Sequence, residues 1–286
     1  MTMPNYGYHL ARAQGAWFRR LYRARLGKIA RRSIPTVATL PFEIFSYSGE
    51  EMLPEQVASI RSLLRFAGRP EQFTVVSDGT HSERSLELLQ RLDPCVRVSP
   101  ASDWQPQGIP PRAASYLATH PTGKQLALVM SLPRNGPALY VDSDVLFFPA
   151  ARTLSSLSDR NDAPALYLAD CRLSDDERLY RSEDEKKNPV NTGVLFLTRK
   201  IDWSRSLDRF LELAGAPNFF TNQTMTHLAM AAAGAVPLDP AKFVLQLDDQ
   251  FQFADRYASP DIVLRHYVNP VRHKFWSTLA RGRFRS

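Results

Sequence analysis

The sequence predicts an α/β fold built on a mostly parallel sheet. Three observations predict it. From residue 42 onward, short apolar runs alternate with segments of helical periodicity. The runs are continuously apolar, as in strands covered on both faces. Several of them end in a carboxylate, at Asp78, Asp142 and Asp170, which places acids at the sheet edge where such folds bind ligands.

Taken in order, residues 6–32 read as a basic amphipathic helix. Leu10, Trp17, Phe18, Leu21, Tyr22, Leu26 and Ile29 recur at spacings of three and four, with arginines between them. Such a helix suits either an anionic membrane face or a protein surface. Residues 35–41 read as the linker into a single domain spanning 35–286, which leaves 1–34 as a separate N-terminal segment. Phe42-Glu-Ile-Phe-Ser-Tyr47 is the first strand, and a helix opens at Pro54 and stops at Gly68. Residues 73–76 are the second strand. Thr80 and Glu83 form a capping box for a helix carrying Leu86, Leu89 and Leu92. Residues 96–98 are a third, short strand. Residues 99–123 are Pro-rich and irregular, and a helix opening at Thr122 carries Lys124 in its first turn.

The next stretch is Ala138-Leu-Tyr-Val-Asp142-Ser-Asp144-Val-Leu-Phe-Phe148. Burying two carboxylates inside it would cost several kcal/mol each, on the order of 2–7, so the strand is expected to end at Asp142. Residues i and i+2 of an extended segment point the same way, and together they suit a hard divalent cation. Residues 165–170 form another strand ending in a carboxylate. Residues 172–189 are dense in charge and read as an exposed excursion, either a mobile flap or a plain solvated loop. Residues 190–197 are a strand with a polar entrance, Asn191-Thr-Gly193. A helix follows from Trp203 to Ala214, and another runs from Thr221-Asn222-Gln223 to Gly234. Residues 243–247 and 262–267 are late strands, the second carrying His266. An imidazole added to two carboxylates makes a mixed nitrogen and oxygen site, which favours Mn²⁺ over Mg²⁺.

The charge is unevenly spread. The chain carries a net +7, yet residues 1–42 hold eight basic residues and 265–286 hold six, with no acid in either, leaving 22 basic and 29 acidic residues between them. This is not a nucleic-acid binder's pattern. Cys95 and Cys171 give neither a disulfide framework nor a zinc spacing. No apolar run is long enough to span a bilayer, and the N-terminus lacks a signal-peptide core, so the expected location is the cytoplasm, on or near the inner membrane face.

Hydrophobic strand, Asp-x-Asp, strand-end Asp, Asn-x-Gly-Val, a helix opening near Gln, and a late His followed by Lys and Trp together resemble the GT-A glycosyltransferases. The likeness, over about residues 42–276, is to the glycogenin and bacterial lipopolysaccharide galactosyltransferase group, glycosyltransferase family 8. It implies a GT-A, Rossmann-like sheet with a small antiparallel C-terminal portion. It implies a hexosyltransferase that uses a nucleotide-diphosphate sugar, Mn²⁺ or Mg²⁺ and a glycan or glycolipid acceptor. A retaining outcome and a place in surface polysaccharide or glycolipid synthesis follow from the same likeness. By position, Asp142, Asp144 and His266 would hold the metal. Tyr47, Ser48, Lys124, Asp142 and Lys274 would contact the nucleotide and diphosphate. Asp170, Asn191 and Gln223 would hold the sugar. Three departures stand out: the interval from His266 to Lys274 is longer than in that group, Asn222 stands where the group often has Asp, and the segment between Asp170 and Asn191 is long. Asp-x-Asp after a hydrophobic strand also occurs in haloacid-dehalogenase-type phosphohydrolases, though there it opens the domain. A glycosyltransferase fold that binds without catalysis is the third alternative.

Overall fold

The computed structural model describes residues 5–35, 38–160 and 162–283. The helices are α1 (Tyr6–Ala24), α2 (Leu26–Ala30), α3 (Leu53–Phe66), α4 (Glu83–Gln90), α5 (Pro111–Thr119), α6 (Pro121–Met130), α7 (Ser204–Glu212), α8 (Thr221–Ala233) and α9 (Arg272–Thr278). The strands are β1 (Thr39–Leu40), β2 (Glu43–Ser48), β3 (Arg69–Pro70), β4 (Phe73–Ser77), β5 (Val96–Pro100) and β6 (Ala138–Val141). They continue as β7 (Val145–Phe147), β8 (Ala165–Ala169), β9 (Val190–Leu197), β10 (Val236–Pro237), β11 (Phe243–Val244) and β12 (Leu264–His266).

The main sheet has seven strands in the order β10-β8-β9-β6-β2-β4-β5. β2 pairs in parallel with β4 and β6, and β4 with β5, whereas β9 runs antiparallel to both β6 and β8. Every residue of β9 is buried, because it lies between two strands and beneath helices. Its direction is not written in its composition: a fully buried strand reads the same in either orientation. A second sheet, β11-β12-β7, pairs β12 antiparallel to β7, and the register Leu264↔Phe147 and His266↔Val145 carries His266 to the Asp-x-Asp turn. The fold class and the small antiparallel C-terminal sheet are as expected.

One apolar cluster, containing Ile44, Val75, Leu139, Phe147 and Phe196, fills one side of the main sheet beneath α3. Another, containing Phe45, Tyr140, Leu195, Met225 and Phe210, joins the sheet to α5–α8. Alternate residues of β2 and β6 go to opposite clusters, as the two-residue period of a strand requires.

Several expectations are corrected. The 6–32 helix breaks at Arg25 into α1 and α2. The cap of α4 is Ser82, whose hydroxyl accepts from Ser85 N–H; the Thr80 hydroxyl instead accepts from Glu50 N–H. Residues 99–123 contain α5, which starts on Pro111 and buries Ala113, Tyr116 and Leu117. The 172–189 segment is largely exposed, as expected, but it is anchored to the body: Arg178 holds the buried Asp176, Asp176 accepts from Thr221, and His227 Nε2 meets Glu185 O. The expected linker at 35–41 includes residues 36 and 37, and the basic C-terminus includes Arg285; these lie outside the described residues.

α1 rests on the body of the protein. Gly15 lies so close to α9 that a Cβ there would stand 2.5 Å from His273 O. Arg19 forks onto the buried Glu55, with Nε 2.6 Å from Oε1, and Tyr22 packs on Trp276 with ring centroids 5.2 Å apart.

Candidate metal and donor site

The site is built where β6 ends. The chain leaves the strand at Val141, turns through Asp142-Ser143-Asp144 and re-enters β7 at Val145. Backbone bonds hold both acids: Asp142 N–H donates to Gly193 O at 2.8 Å, and Tyr267 N–H donates to Asp144 O at 3.0 Å. β12 then presents His266 across the turn. Ligand atoms of Asp142, Asp144 and His266 all lie within 4.8 Å of one another. His266 Nε2 is 3.1 Å from Asp144 Oδ1 and 3.6 Å from Asp142 Oδ2.

The imidazole's orientation is set from behind. Asn191 Oδ1 accepts from Gly193 N–H at 2.9 Å, which identifies that atom as the amide oxygen. The same oxygen lies 3.0 Å from His266 Nδ1, so Nδ1 carries a proton and donates to it. That leaves Nε2, the nitrogen facing the carboxylates, as the ligand atom of the neutral ring. A histidine fixed through its other nitrogen by an amide or carbonyl is the usual arrangement of a metal-ligating imidazole. Two oxygens and one nitrogen, two of the three residues being acidic, form a donor set that fits a divalent cation.

The charges respond to this crowding. Burial pushes the Asp142 carboxyl up to about 6, and neighbouring Asp144 adds to the rise. Burial also works against Asp144, but His266 and Arg272 outweigh it and hold its carboxyl low, at about 2. His266 is disfavoured as a cation by burial, yet Asp144 and Asp142 raise its pKa overall. The pair of acids therefore does not titrate as two independent groups.

Asp170, Asn191 and Gln223 form a second, adjoining knot. Gln223, at the start of α8, donates through Nε2 to Asp170 Oδ2 at 2.9 Å and to Ser174 O at 2.7 Å. Asn191 Nδ2 points the same way, 3.4 Å from Asp170 Oδ2. Burial raises the Asp170 carboxyl, partly offset by hydrogen bonds from Arg172 N–H and Asn191. One continuous set of contacts thus runs from Asp144 through His266 and Asn191 to Asp170 and Gln223.

Lys124 lies at the ends of β2 and β4, with Nζ 3.2 Å from Asp78 O. Tyr47 Oη and Ser48 Oγ at the end of β2 are buried and have no hydrogen-bond partner among the described residues. Burial pushes the Tyr47 phenol up.

Lys274 does not reach this cluster. It is fully buried, with Nζ 2.9 Å from Gln252 O and 2.7 Å from Ala254 O and beside Asp249, in a network with Arg265 and Asp255. It has turned inward because α9 begins only at Arg272, which puts its third residue on the core side. Arg272, two residues earlier, faces the acids instead: its Nη2 donates to Asp144 Oδ2 at 2.7 Å, and 40% of its side chain is exposed.

Three further residues, to which the sequence reading gave no role, shape the site. Tyr140 Oη donates to Asp142 Oδ1 at 2.6 Å, and Gln125 Nε2 donates to the same oxygen at 2.9 Å. Gln125 Oε1 in turn accepts from Asn222 Nδ2 at 3.0 Å, so Asn222 braces the metal side of the site. Gly193 lets His266 in: a Cβ there would lie 2.1 Å from His266 Cε1. Two of these carried a usable signal. Tyr140 is two residues before Asp142 on a strand, hence on the same face, and Gly193 follows Asn191 on a strand otherwise rich in large residues.

No protein-family model and no curated protein sequence matches the chain. Solved structures do. The galactosyltransferase LgtC, in complex with donor and acceptor sugar analogs, superposes with a TM-score of 0.55 at 15% identity, covering 84% of this chain and 96% of that one. Mouse xyloside xylosyltransferase 1 gives 0.53 at 13% identity, covering 81% and 99%. The bifunctional glycosyltransferase WbbM gives 0.55 at 12% identity, covering 90% of this chain and 52% of that one. The likeness is one of fold, and that fold is GT-A.

Proposed function

We propose that this protein is a metal-dependent glycosyltransferase that moves a hexose from a nucleotide-diphosphate sugar to an acceptor hydroxyl, with Mn²⁺ as the preferred ion. The observation that carries the reading is the Asp142–Asp144–His266 cluster, oriented through Asn191 and set at the carboxyl edge of a parallel sheet. Asp142, Asp144 and His266 hold the cation, which, when bound, offsets the charge developing on the departing diphosphate.

The remaining chemistry belongs to the side chains. Tyr47 and Ser48, whose buried hydroxyls lack hydrogen-bond partners among the described residues, receive the nucleobase and ribose. Lys124 approaches the donor from α6. Arg272 is the counter-charge for the diphosphate, in place of Lys274. Asp170, Asn191 and Gln223 fix the sugar so that the acceptor hydroxyl attacks at short range. In the retaining course implied by the resemblance, the acceptor oxygen bonds to the anomeric carbon as its bond to the diphosphate breaks. The acceptor's proton passes to the leaving diphosphate oxygen, and no protein base is needed.

The acceptor is read as a glycan or glycolipid of surface polysaccharide synthesis, reached from the cytoplasmic membrane face. Tyr6, Leu10 and Trp17 support this. They lie four and seven residues apart on one face of α1 and are 67%, 63% and 56% exposed. No helix among the described residues is long and apolar enough to cross a membrane.

The test is release of nucleoside diphosphate from a panel of nucleotide sugars with Mn²⁺. Release abolished by chelator and by Asp144→Asn is the expected result. Binding of nucleotide sugar with no turnover on any acceptor would make the protein a binding module. Phosphate release from small phosphate esters, without nucleotide release, would make it a phosphohydrolase.

A further inference from the structure

A second cleft, of about 870 Å³, lies between α1, α2, α3 and the segment after α9. It contains none of the carboxylate-site residues. Its size is that of a small-molecule pocket. Five basic residues line it, Arg25, Lys28, Arg32, Arg61 and Arg65, and no acid does. None of the five forms an ion pair among the described residues. The nearest acid along α3, Glu55, is already committed to Arg19 and to Trp276 Nε1.

Arg61 is the most telling of these. It is half-buried in the cleft wall, and its Nη1 donates to Arg32 O at 2.9 Å. Burial depresses its pKa, and the like charges of Arg32 and Arg65 depress it further. A cluster of cations held together without a counter-ion is repulsive until an anion enters. Apart from Ser33 and Ser62, the rest of the wall is aromatic or aliphatic, with Trp17, Phe18, Leu21 and Leu279 among its residues. Trp17 belongs both to the cleft mouth and to the exposed stripe of α1, so the two surfaces are continuous.

We propose that this cleft binds one anionic lipid, its phosphate on Arg32, Arg61 and Arg65 and its proximal chain against Trp17, Phe18 and Leu279. A free phosphate would have no use for the aromatic wall, and a neutral lipid none for the cations. The inference rests on the reading of residues 6–32 as membrane-facing, and adds to it a discrete, saturable site. It does not depend on glycosyl transfer.

The experiment is calorimetric titration of the full chain with monomeric dihexanoyl phosphatidic acid. One saturable site is expected. Inorganic phosphate and dihexanoyl phosphatidylcholine should bind at least ten-fold more weakly. Arg61→Gln should weaken phosphatidic acid binding ten-fold or more, as should Lys28→Gln with Arg65→Gln, a pair that leaves the bond to Arg32 O intact. Melting temperature and Mn²⁺ binding should not move in the Lys28/Arg65 pair. Absence of saturable binding overturns the proposal, as does equal affinity for phosphate or phosphatidylcholine, or indifference to the Lys28/Arg65 pair. Flotation on phosphatidylglycerol vesicles separates the two readings. Flotation with no short-chain binding sinks the cleft and spares the membrane reading. Short-chain binding without flotation does the reverse.

Discussion

Gly193→Ala changes one hydrogen to a methyl group and tests how the metal site is held. A Cβ at this position would lie 2.1 Å from His266 Cε1, 2.4 Å from Nδ1 and 2.9 Å from Asn191 Oδ1. Restoring ordinary contact with the ring requires a displacement on the order of 1 Å. The ring cannot move that far and keep Nδ1 at 3.0 Å from Asn191. Nε2 moves with it, away from the 3.1 Å approach to Asp144. The substitution therefore misplaces the nitrogen ligand without removing it. Losing such an orienting contact costs roughly 10–100-fold in metal affinity. Overpacking the buried strand costs about 1–3 kcal/mol of stability. Mn²⁺ titration by calorimetry reads the first and urea denaturation the second. Gly27→Ala is the control, since a Cβ there meets nothing within 4 Å and it lies in helix α2. That change should stabilise by roughly 0.5–1 kcal/mol. Wild-type Mn²⁺ affinity in folded Gly193→Ala would refute the claim that this glycine seats His266.

Other outcomes follow from the same geometry. Asp142, with its carboxyl raised to about 6, and His266, raised above its ordinary value, bind metal only when deprotonated. Mn²⁺ affinity should therefore fall as pH drops from 7.5 to 5.5, with proton release on binding at pH 7 seen by calorimetry in two buffers of different ionisation heat. Arg272→Ala should leave the melting temperature nearly unchanged and slow nucleoside diphosphate release by roughly 10–100-fold. Lys274→Ala should instead cost about 3–5 kcal/mol of stability, because it strips a cation from a buried network. Glu55→Ala should cost about 1–3 kcal/mol in urea denaturation, since it frees Arg19 and the Trp276 indole and loosens α1.

Much of the sheet was legible because its strands are covered on both faces. Residues 138–141 and 194–197 are apolar runs, and burial on two sides leaves little other option for such a run. Their direction was not legible, because strand orientation depends on connections rather than on local pattern. α5 was hidden by its prolines: a start on Pro111 is a helix signal, but the surrounding Gly108 and Pro110 read as loop, and only one face of the helix is buried. The 172–189 segment looked free because its anchors, Asp176, Arg178 and Glu185, are polar and pair with residues distant in sequence.

The two carboxylates and His266 were singled out by residue type and spacing, and Asp170, Asn191 and Gln223 by the family resemblance; the fold brings them together. Lys274 shows where such reasoning fails. Two cations lie close together after His266, and which of them faces the acids is decided by the start of α9. Nothing local announces that Asp249 and Asp255 wait in the interior for the other one. For the same reason α1, basic and amphipathic, gave no sign that its inner face rests on α9 through Gly15. A deletion of residues 1–34 would uncover that face, and so Tyr6→Ser with Leu10→Ser is the cleaner probe of membrane contact.

The central claim is that Asp142, Asp144 and His266 together hold a divalent cation beneath a donor diphosphate. Pulsed electron paramagnetic resonance on the Mn²⁺-loaded protein tests it most directly. The expected spectrum shows coupling to a directly bound ¹⁴N nucleus, lost in His266→Gln, and coupling to ³¹P that appears when a nucleoside diphosphate is added. A spectrum with no nitrogen coupling, or one unchanged by both Asp144→Asn and His266→Gln, would contradict it.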